Sequence, residues 1–261
     1  MPQCRPFPSR PVRHGAAVTV GAVLLLCGCS LPAYTTTAGA ERPAGHTTPT
    51  TTADRPDMTK RKAHAARVLP GVGPAMLARV PDSTSQVLLV TGKDRDGSTA
   101  TARLYQRSPH GWEPTSESWP AHNGLKGWTD DHRIGDLRSP IGAFTLTDAG
   151  GLLPNPGTQL PYDRSTGFQI AGTGSRGEPL AGSFDYVVAI NYNRQPGTTP
   201  LDWTRPEGPA KGGGIWVHVD HHGPTQACVS IAREHMKQLL RALDPSRKPM
   251  IVMGDATSLA R

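Results

Sequence analysis

The sequence predicts a mainly β domain with one or two short helices. Three observations carry this. The chain of 261 residues holds 29 glycines and 26 prolines but only 5% aromatic residues, a composition suited to many turns and unsuited to a helical bundle. Its apolar runs are short, rich in β-branched residues and bounded by Gly, Pro, Asn or Asp. One segment alone, after Ser230, has the apolar spacing of a helix of useful length.

The amino-terminal stretch reads as an export signal. Arg5, Arg10 and Arg13 precede an apolar run from Ala16 to Leu26, which is short for a membrane span. The run ends in Leu26-Cys27-Gly28-Cys29, which resembles the bacterial lipobox. The resemblance implies a lipoprotein signal peptide over 1–28 and lipidation of Cys29. It anchors the chain on the outer face of the cytoplasmic membrane. The alternative is an ordinary secretory signal and a secreted or wall-associated protein. The formal charge of +7, less the three signal arginines, leaves about +4. That mild basicity suits an anionic envelope but is no argument for nucleic acid; no nucleic-acid motif is present and no nucleic-acid partner is expected.

Residues 29–82 read as a flexible tether. Stretches such as His46-Thr47-Thr48-Pro49-Thr50-Thr51-Thr52 hold too little apolar surface to offset chain entropy. Within it, Val68 to Leu77 is apolar enough to pack on a domain edge. The folded domain is expected over 83–257. Gln86 to Thr91 and Thr99 to Gln106, joined through Asp96-Gly97, predict a hairpin. Gly135, Pro140 and Gly142 punctuate a tight loop before a strand over Ala143–Thr147, and Asp136 and Arg138 are expected to brace that loop. Phe184 to Asn193 is the longest β-prone run and is expected as a central strand. The Pro/Gly-rich stretch from Arg194 to Gly214 reads as a lid or substrate wall. Ile215 to Val219 follows as a strand with Ile215, Val217 and Val219 on one face and Trp216, His218 and Asp220 on the other. Ser230 is expected to cap a helix reaching Leu243, with Ile231, Leu239, Leu240 and Leu243 as its stripe. Asp244-Pro245 ends it, and Pro249 to Met253 forms a last strand.

Chemistry concentrates in Gly214–Ile231. Cys228 is the only cysteine beyond position 29. Such a thiol in an exported domain is either buried and inert or reactive. Cys228 is read as the nucleophile, with its thiolate favoured by a following helix. His218, ten residues upstream on a strand, is read as the proton acceptor and donor. The backbone N–H groups of Ala227 and Cys228 are candidate oxyanion donors. His221 and His222 read as exposed turn residues, with His221 a backup base. The spacing of His218, Asp220, His221, His222 and Cys228 matches no familiar zinc pattern, so no metal and no cofactor is expected. Gly212-Gly213-Gly214 reads as a hinge, not a phosphate loop.

Four blocks together resemble the L,D-transpeptidase catalytic domain family (YkuD-like), in its form with a short loop between histidine and cysteine. They are Gly135–Phe144, with Ser139 in a threonine position; Tyr186–Asn193; Gly214–Val219; and Pro224–Ile231. The similarity spans Gln86 to Met253. It implies a single β-sandwich-like domain and a cysteine thioester mechanism on peptidoglycan stem peptides. In that mechanism Cys228 attacks the amide after the third stem residue, D-alanine leaves, and an amine of a neighbouring stem or of a protein takes the acyl group. Tyr192, Asn193, Thr225, Gln226 and Ser230 are the implied substrate-binding residues, and the chain is expected to be a monomer. Gln226-Ala227 stands where many members have His-Gly, and Ser230 where many have Arg or Asn. Two alternatives accompany this reading: an L,D-carboxypeptidase with water as acceptor, and a decayed wall-binding lipoprotein. A sortase is disfavoured because its expected Thr-x-Thr-Cys-type segment and distant arginine are not clear. Papain-like hydrolases place cysteine before histidine, the reverse of this order.

Overall fold

The computed structural model describes residues 68–261. The expected signal peptide, Cys29 and most of the expected tether lie outside the described residues. Helix α1 is a single turn, Pro74–Leu77. The strands that follow are β1 (Gln86–Gly92), β2 (Thr99–Ser108), β3 (Gly111–Pro114) and β4 (Trp119–His122). Then come β5 (Trp128–Thr129), β6 (Ser139–Pro140), β7 (Gly142–Thr145), β8 (Ala149–Gly151) and β9 (Tyr162–Arg164). After a long irregular stretch come β10 (Val187–Ala189), β11 (Trp216–Val219) and β12 (Val229–Ile231). Helix α2 (Arg233–Ala242), strand β13 (Met250–Asp255) and the short helix α3 (Ala256–Leu259) end the chain.

The protein is mainly β, as its turn-rich composition predicts. Eleven strands form one curled sheet in the order β7-β13-β1-β2-β4-β12-β11-β10-β8-β9, with β3 pairing β2 at its side. β5 and β6 pair separately. The Asp96-Gly97 hairpin forms as expected, with Val90 opposite Ala102. The last strand runs parallel to β1, Leu89 against Val252. The main core lies between this sheet and α2, whose Met236, Leu239 and Leu240 are fully buried, as is Leu243 just beyond it. Burying each such side chain contributes about 1.5–3 kcal/mol.

β11 alternates as its sequence requires. Ile215, Val217 and Val219 enter the main core. Trp216 joins Phe168, Phe184, Val187, Ala189 and Cys228 in a second apolar cluster.

Three expectations are corrected. The run from Phe184 to Asn193 is not a long central strand: only Val187–Ala189 pairs, between β8 and β11 near one end of the sheet. Its flanks are drawn away. Asp185 N–H closes a turn onto Gly182, and Asn191 N–H reaches Thr145 instead. Asn193 then turns the chain with φ 42. Second, Ser230 caps no helix. It lies in β12, paired to β11 by its β-branched neighbours, while α2 starts at Arg233 behind Ala232 without a side-chain cap. Third, the packed body begins before residue 83 and continues past 257. Leu69, Val72, Met76 and Val80 are buried, and Gly73 N–H donates to Leu259 O at 2.8 Å.

The irregular 194–214 stretch is anchored at its start by a buried ion pair. Arg194 Nη1 donates to Asp148 Oδ2 at 2.9 Å, with both side chains almost wholly inaccessible. The same guanidinium donates to Asn191 Oδ1 at 2.6 Å, and Gly197 N–H donates to Asp148 Oδ2 at 2.9 Å. Removing one partner strands the other charge in low dielectric. Arg194→Met is therefore expected to lower unfolding free energy by about 3–5 kcal/mol in urea titration. A loss below about 1 kcal/mol would place the pair with exposed ones.

Candidate active site

β11 and β12 are parallel neighbours, in the register Val217–Val229, His218–Ser230 and Val219–Ile231. Residues 220–228 must therefore carry the chain back the full length of β11. The return delivers Cys228 alongside Trp216, whose N–H donates to Sγ at 3.4 Å. Sγ also lies 4.0 Å from Gly214 O. Successive side chains alternate, so Trp216 and His218 share a face with Cys228 and Ser230.

The end of the return loop is held by its main chain. Ser139 Oγ donates to Ala227 O at 2.7 Å and lies 3.2 Å from Cys228 O. Gly124 N–H in turn donates to Ser139 Oγ at 2.9 Å. Thr225 Oγ1 donates to Cys228 O at 2.6 Å, while its backbone pairs with Asn123 and Leu125. In a trans peptide the carbonyl and the following N–H point opposite ways. With Ala227 O turned to Ser139, Cys228 N–H is directed away from Ser139. The role of Ser139 in holding the loop was missed from sequence, although its motif block was visible.

His218 is 2% exposed. Its Nδ1 lies 2.9 Å from Val219 O, so Nδ1–H donates to that carbonyl and Nε2 keeps its lone pair. The ring sits edge-on to Phe184, with centroids 5.3 Å apart, and stacks on His221 at 5.8 Å and 11°. Burial pushes its pKa down to about 4, so the imidazole is neutral at pH 7 and can act as a base.

His221 is corrected from an exposed turn residue to a buried one. It faces Glu178, and burial lowers its pKa against the raising pull of Asp220 and Glu178. His222 is exposed, as expected. The helix argument for the Cys228 thiolate falls, because β12 separates the cysteine from α2.

A pocket of about 70 Å³ is lined by Thr173, Ser183, His218, His221, Thr225 and Gln226, among others. A smaller one of about 10 Å³ touches Cys228, Ala227, Gly213, Gly214, Gln226 and His132. Gln226 borders both. His132 is a second residue missed from sequence: it is buried, and its Nδ1 lies 3.0 Å from Asp136 Oδ1. Asp136 also accepts from the backbone N–H groups of Arg133 and Arg138, and Arg138 pairs with Asp96, so the two residues brace their loop.

The remaining implied substrate residues turn their polar atoms onto the protein. Asn193 Nδ2 donates to Gly208 O at 2.9 Å and Gly212 O at 2.7 Å, and its Oδ1 accepts from Glu207 N–H. Asn193 thus organises the loop. Tyr192 OH donates to His132 O at 3.2 Å, and burial raises its pKa to about 12. Ser230 Oγ donates to Asp220 Oδ1, which also meets His122 Nδ1, both at 2.8 Å. Burial alone would raise the Asp220 pKa, but these hydrogen bonds bring it to about 2. Gly212, Gly213 and Gly214 have φ of 69, 134 and 67, conformations that side-chain-bearing residues avoid. Among the described residues no three His, Cys, Asp or Glu side chains converge to hold a metal ion.

No family model and no curated protein sequence matches the chain. The crystal structure of the helical cell shape determining protein Pgp2 from Campylobacter jejuni is similar at 16% identity and a TM-score of 0.37. The match covers 67% of this chain and 48% of that one. A lysine-to-alanine mutant of the same protein gives the same values. The match thus takes in about half the length of those structures.

Two outcomes test this geometry. The unfolded chain binds a proton near pH 6.5 that folded His218 accepts only near 4. Stability therefore falls as pH drops through that window, by about 3 kcal/mol from His218 alone. His218→Gln should remove that share of the slope in unfolding measured from pH 7 to 4; an unchanged slope would assign it to other groups. Ser139→Ala is expected to cost about 1–3 kcal/mol and to slow alkylation or acylation of Cys228, because the Ala227 carbonyl loses its donor and the Gly124 N–H its acceptor.

Proposed function

We propose that the chain is a cysteine-dependent acyltransferase acting on peptidoglycan stem peptides, an L,D-transpeptidase. The single observation that carries this reading is the parallel β11–β12 return. It puts Cys228 on the same face of the sheet as His218, a buried neutral imidazole whose Nδ1 is pinned to a backbone carbonyl. A nucleophile, a base and an orienter for that base are the parts a covalent acyl transfer needs. The four sequence blocks supply the substrate class, and the export segment its address: the outer face of the membrane, through lipid on Cys29.

The proposed chemistry runs in two halves. His218 Nε2 takes the thiol proton as Sγ attacks the stem carbonyl, and the Cys228 N–H stabilises the oxyanion. His218 then gives that proton to the departing D-alanine amine, leaving a thioester. An acceptor amine forms the new amide, the C–S bond breaks, and the amine proton returns to Sγ through His218. Sγ is buried at rest, so the donor reaches it when the cover formed by Gln226, Gly213 and Gly214 moves aside. A neutral His218 favours a thiol–imidazole pair over a preformed ion pair, because burial penalises the imidazolium.

Mass spectrometry after incubation with a carbapenem tests the reading. A covalent adduct is expected on the wild type and absent in Cys228→Ala. No adduct on the reduced wild type would overturn it. With stem tetrapeptide as donor, His218→Ala should lose activity by about 10²–10⁴-fold. Equal rates would remove His218 from the mechanism.

A further inference from the structure

Glu178 is a buried carboxylate that the two-residue reading of the site leaves unused. It sits on a hairpin over the pocket, closed by the bridge between Thr173 and Pro179 and by Gly174 N–H donating to Glu178 O at 2.8 Å. Its Oε2 accepts from Arg176 N–H at 2.7 Å at the hairpin tip. Its Oε1 lies 3.3 Å from His221 Nδ1, the two side chains being 10% and 6% exposed. Neither of these two atoms has a closer hydrogen-bond partner among the described residues. The backbone makes room for the carboxylate. A Cβ on Gly174 would fall 2.2 Å from Oε1, and one on Gly223 would fall 2.1 Å from it. A buried carboxylate is costly unless it is paired, so glycine on both sides and histidine in front form a built site.

His221 lines the same pocket as His218 and stacks parallel to it. With Nδ1 turned to Glu178, which lies behind the lining, its Nε2 is on the opposite side of the ring. The pocket therefore receives two imidazoles, each pinned at Nδ1, one by a carbonyl and one by a carboxylate. No Lys, Arg, Asp or Glu lines it among the described residues. The groups facing His221 are Glu178 from the hairpin, His218 from β11, His122 from β4 and Asp220 from its own loop, whose neighbour His222 is exposed. Asp220 is already held by His122 and Ser230. The Glu178 carboxyl group behind His221, with no cationic side chain on the lining, favours an ammonium and disfavours a carboxylate there.

We propose that Glu178 and His221 form a second acid–base dyad, which binds the acceptor's primary amine as its ammonium and removes the proton that blocks attack. This rests on the acyltransferase reading and assigns the acceptor side of it. The ammonium R–NH₃⁺ gives one proton to His221 Nε2, and the resulting imidazolium is held by Glu178. The neutral amine attacks the Cys228 thioester: the C–N bond forms, the C–S bond breaks, and the second amine proton passes through His218 to Sγ. His221 then returns its proton to solvent. His221 is the catalytic residue of this step and Glu178 its positioning residue.

The test uses Nα-acetyl-lysine amide, whose side-chain amine is an ammonium at neutral pH. Titrating it against the wild type should shift the His221 ring resonances, with binding about tenfold weaker in E178Q. No shift in the wild type overturns the amine site. With stem tetrapeptide as donor, E178Q should lower the ratio of aminolysis to hydrolysis about tenfold at pH 7. The loss should shrink as pH rises toward the amine pKa, where free amine no longer needs the dyad, and E178D should restore part of it. An unchanged ratio in E178Q, or a loss of the same size at every pH, overturns the proposal. Amine binding with no thioester on Cys228 would sink the acyltransferase reading and leave the amine site standing. Thermal melting checks that E178Q is folded; if it is not, H221Q carries the same comparison.

Discussion

The parallel pairing of β11 with β12 is the constraint on which the site depends. Parallel neighbours normally need a long crossover, often a helix, to bring the chain back to the starting end. Here residues 220–228 make the return alone. So short a link has little backbone to spare and is stapled from outside, by Ser139 to the carbonyls of 227 and 228 and by Thr225 to that of 228. The thiol's position follows from this stapling.

The electrostatics of the pocket follow from burial. His218 stays neutral because its surroundings solvate charge poorly, and its orientation comes from a carbonyl, which imposes no charge of its own. His221 differs in having a carboxylate behind it. Two chemically identical rings, nearly parallel, are thus set apart by what touches Nδ1. Environment, more than residue type, divides acid and base roles within a shared site.

Much of the scaffold was legible because it rests on local patterns. The Asp96-Gly97 turn specifies its hairpin, and alternation along Ile215–Val219 sorts two apolar clusters onto opposite faces. The stripe ending at Leu243 also declares its helix, but the start of that helix was misread. Ser230 looks like a cap in isolation; its tertiary partner Asp220 and the pairing of β12 decide otherwise. Phe184–Asn193 failed for a similar reason, since strand length depends on partners and β8 offers only three residues. In the site, Cys228 and His218 stand out by residue type and spacing. Ser139, His132 and Glu178 do not, because they act through contacts 40 or more residues distant in sequence or through burial that no local pattern encodes.

The main-chain hold on Cys228 has a consequence for how this sequence can vary. Ser139 and Thr225 grip carbonyl oxygens, which every residue possesses, so the place of the thiol is written at 139 and 225 and not in the side chains beside it. Positions 226 and 227 can accordingly change side chain without displacing the thiol. The position of the thiol and the side chains that surround it are encoded at separate positions, and selection can act on one while the other is kept.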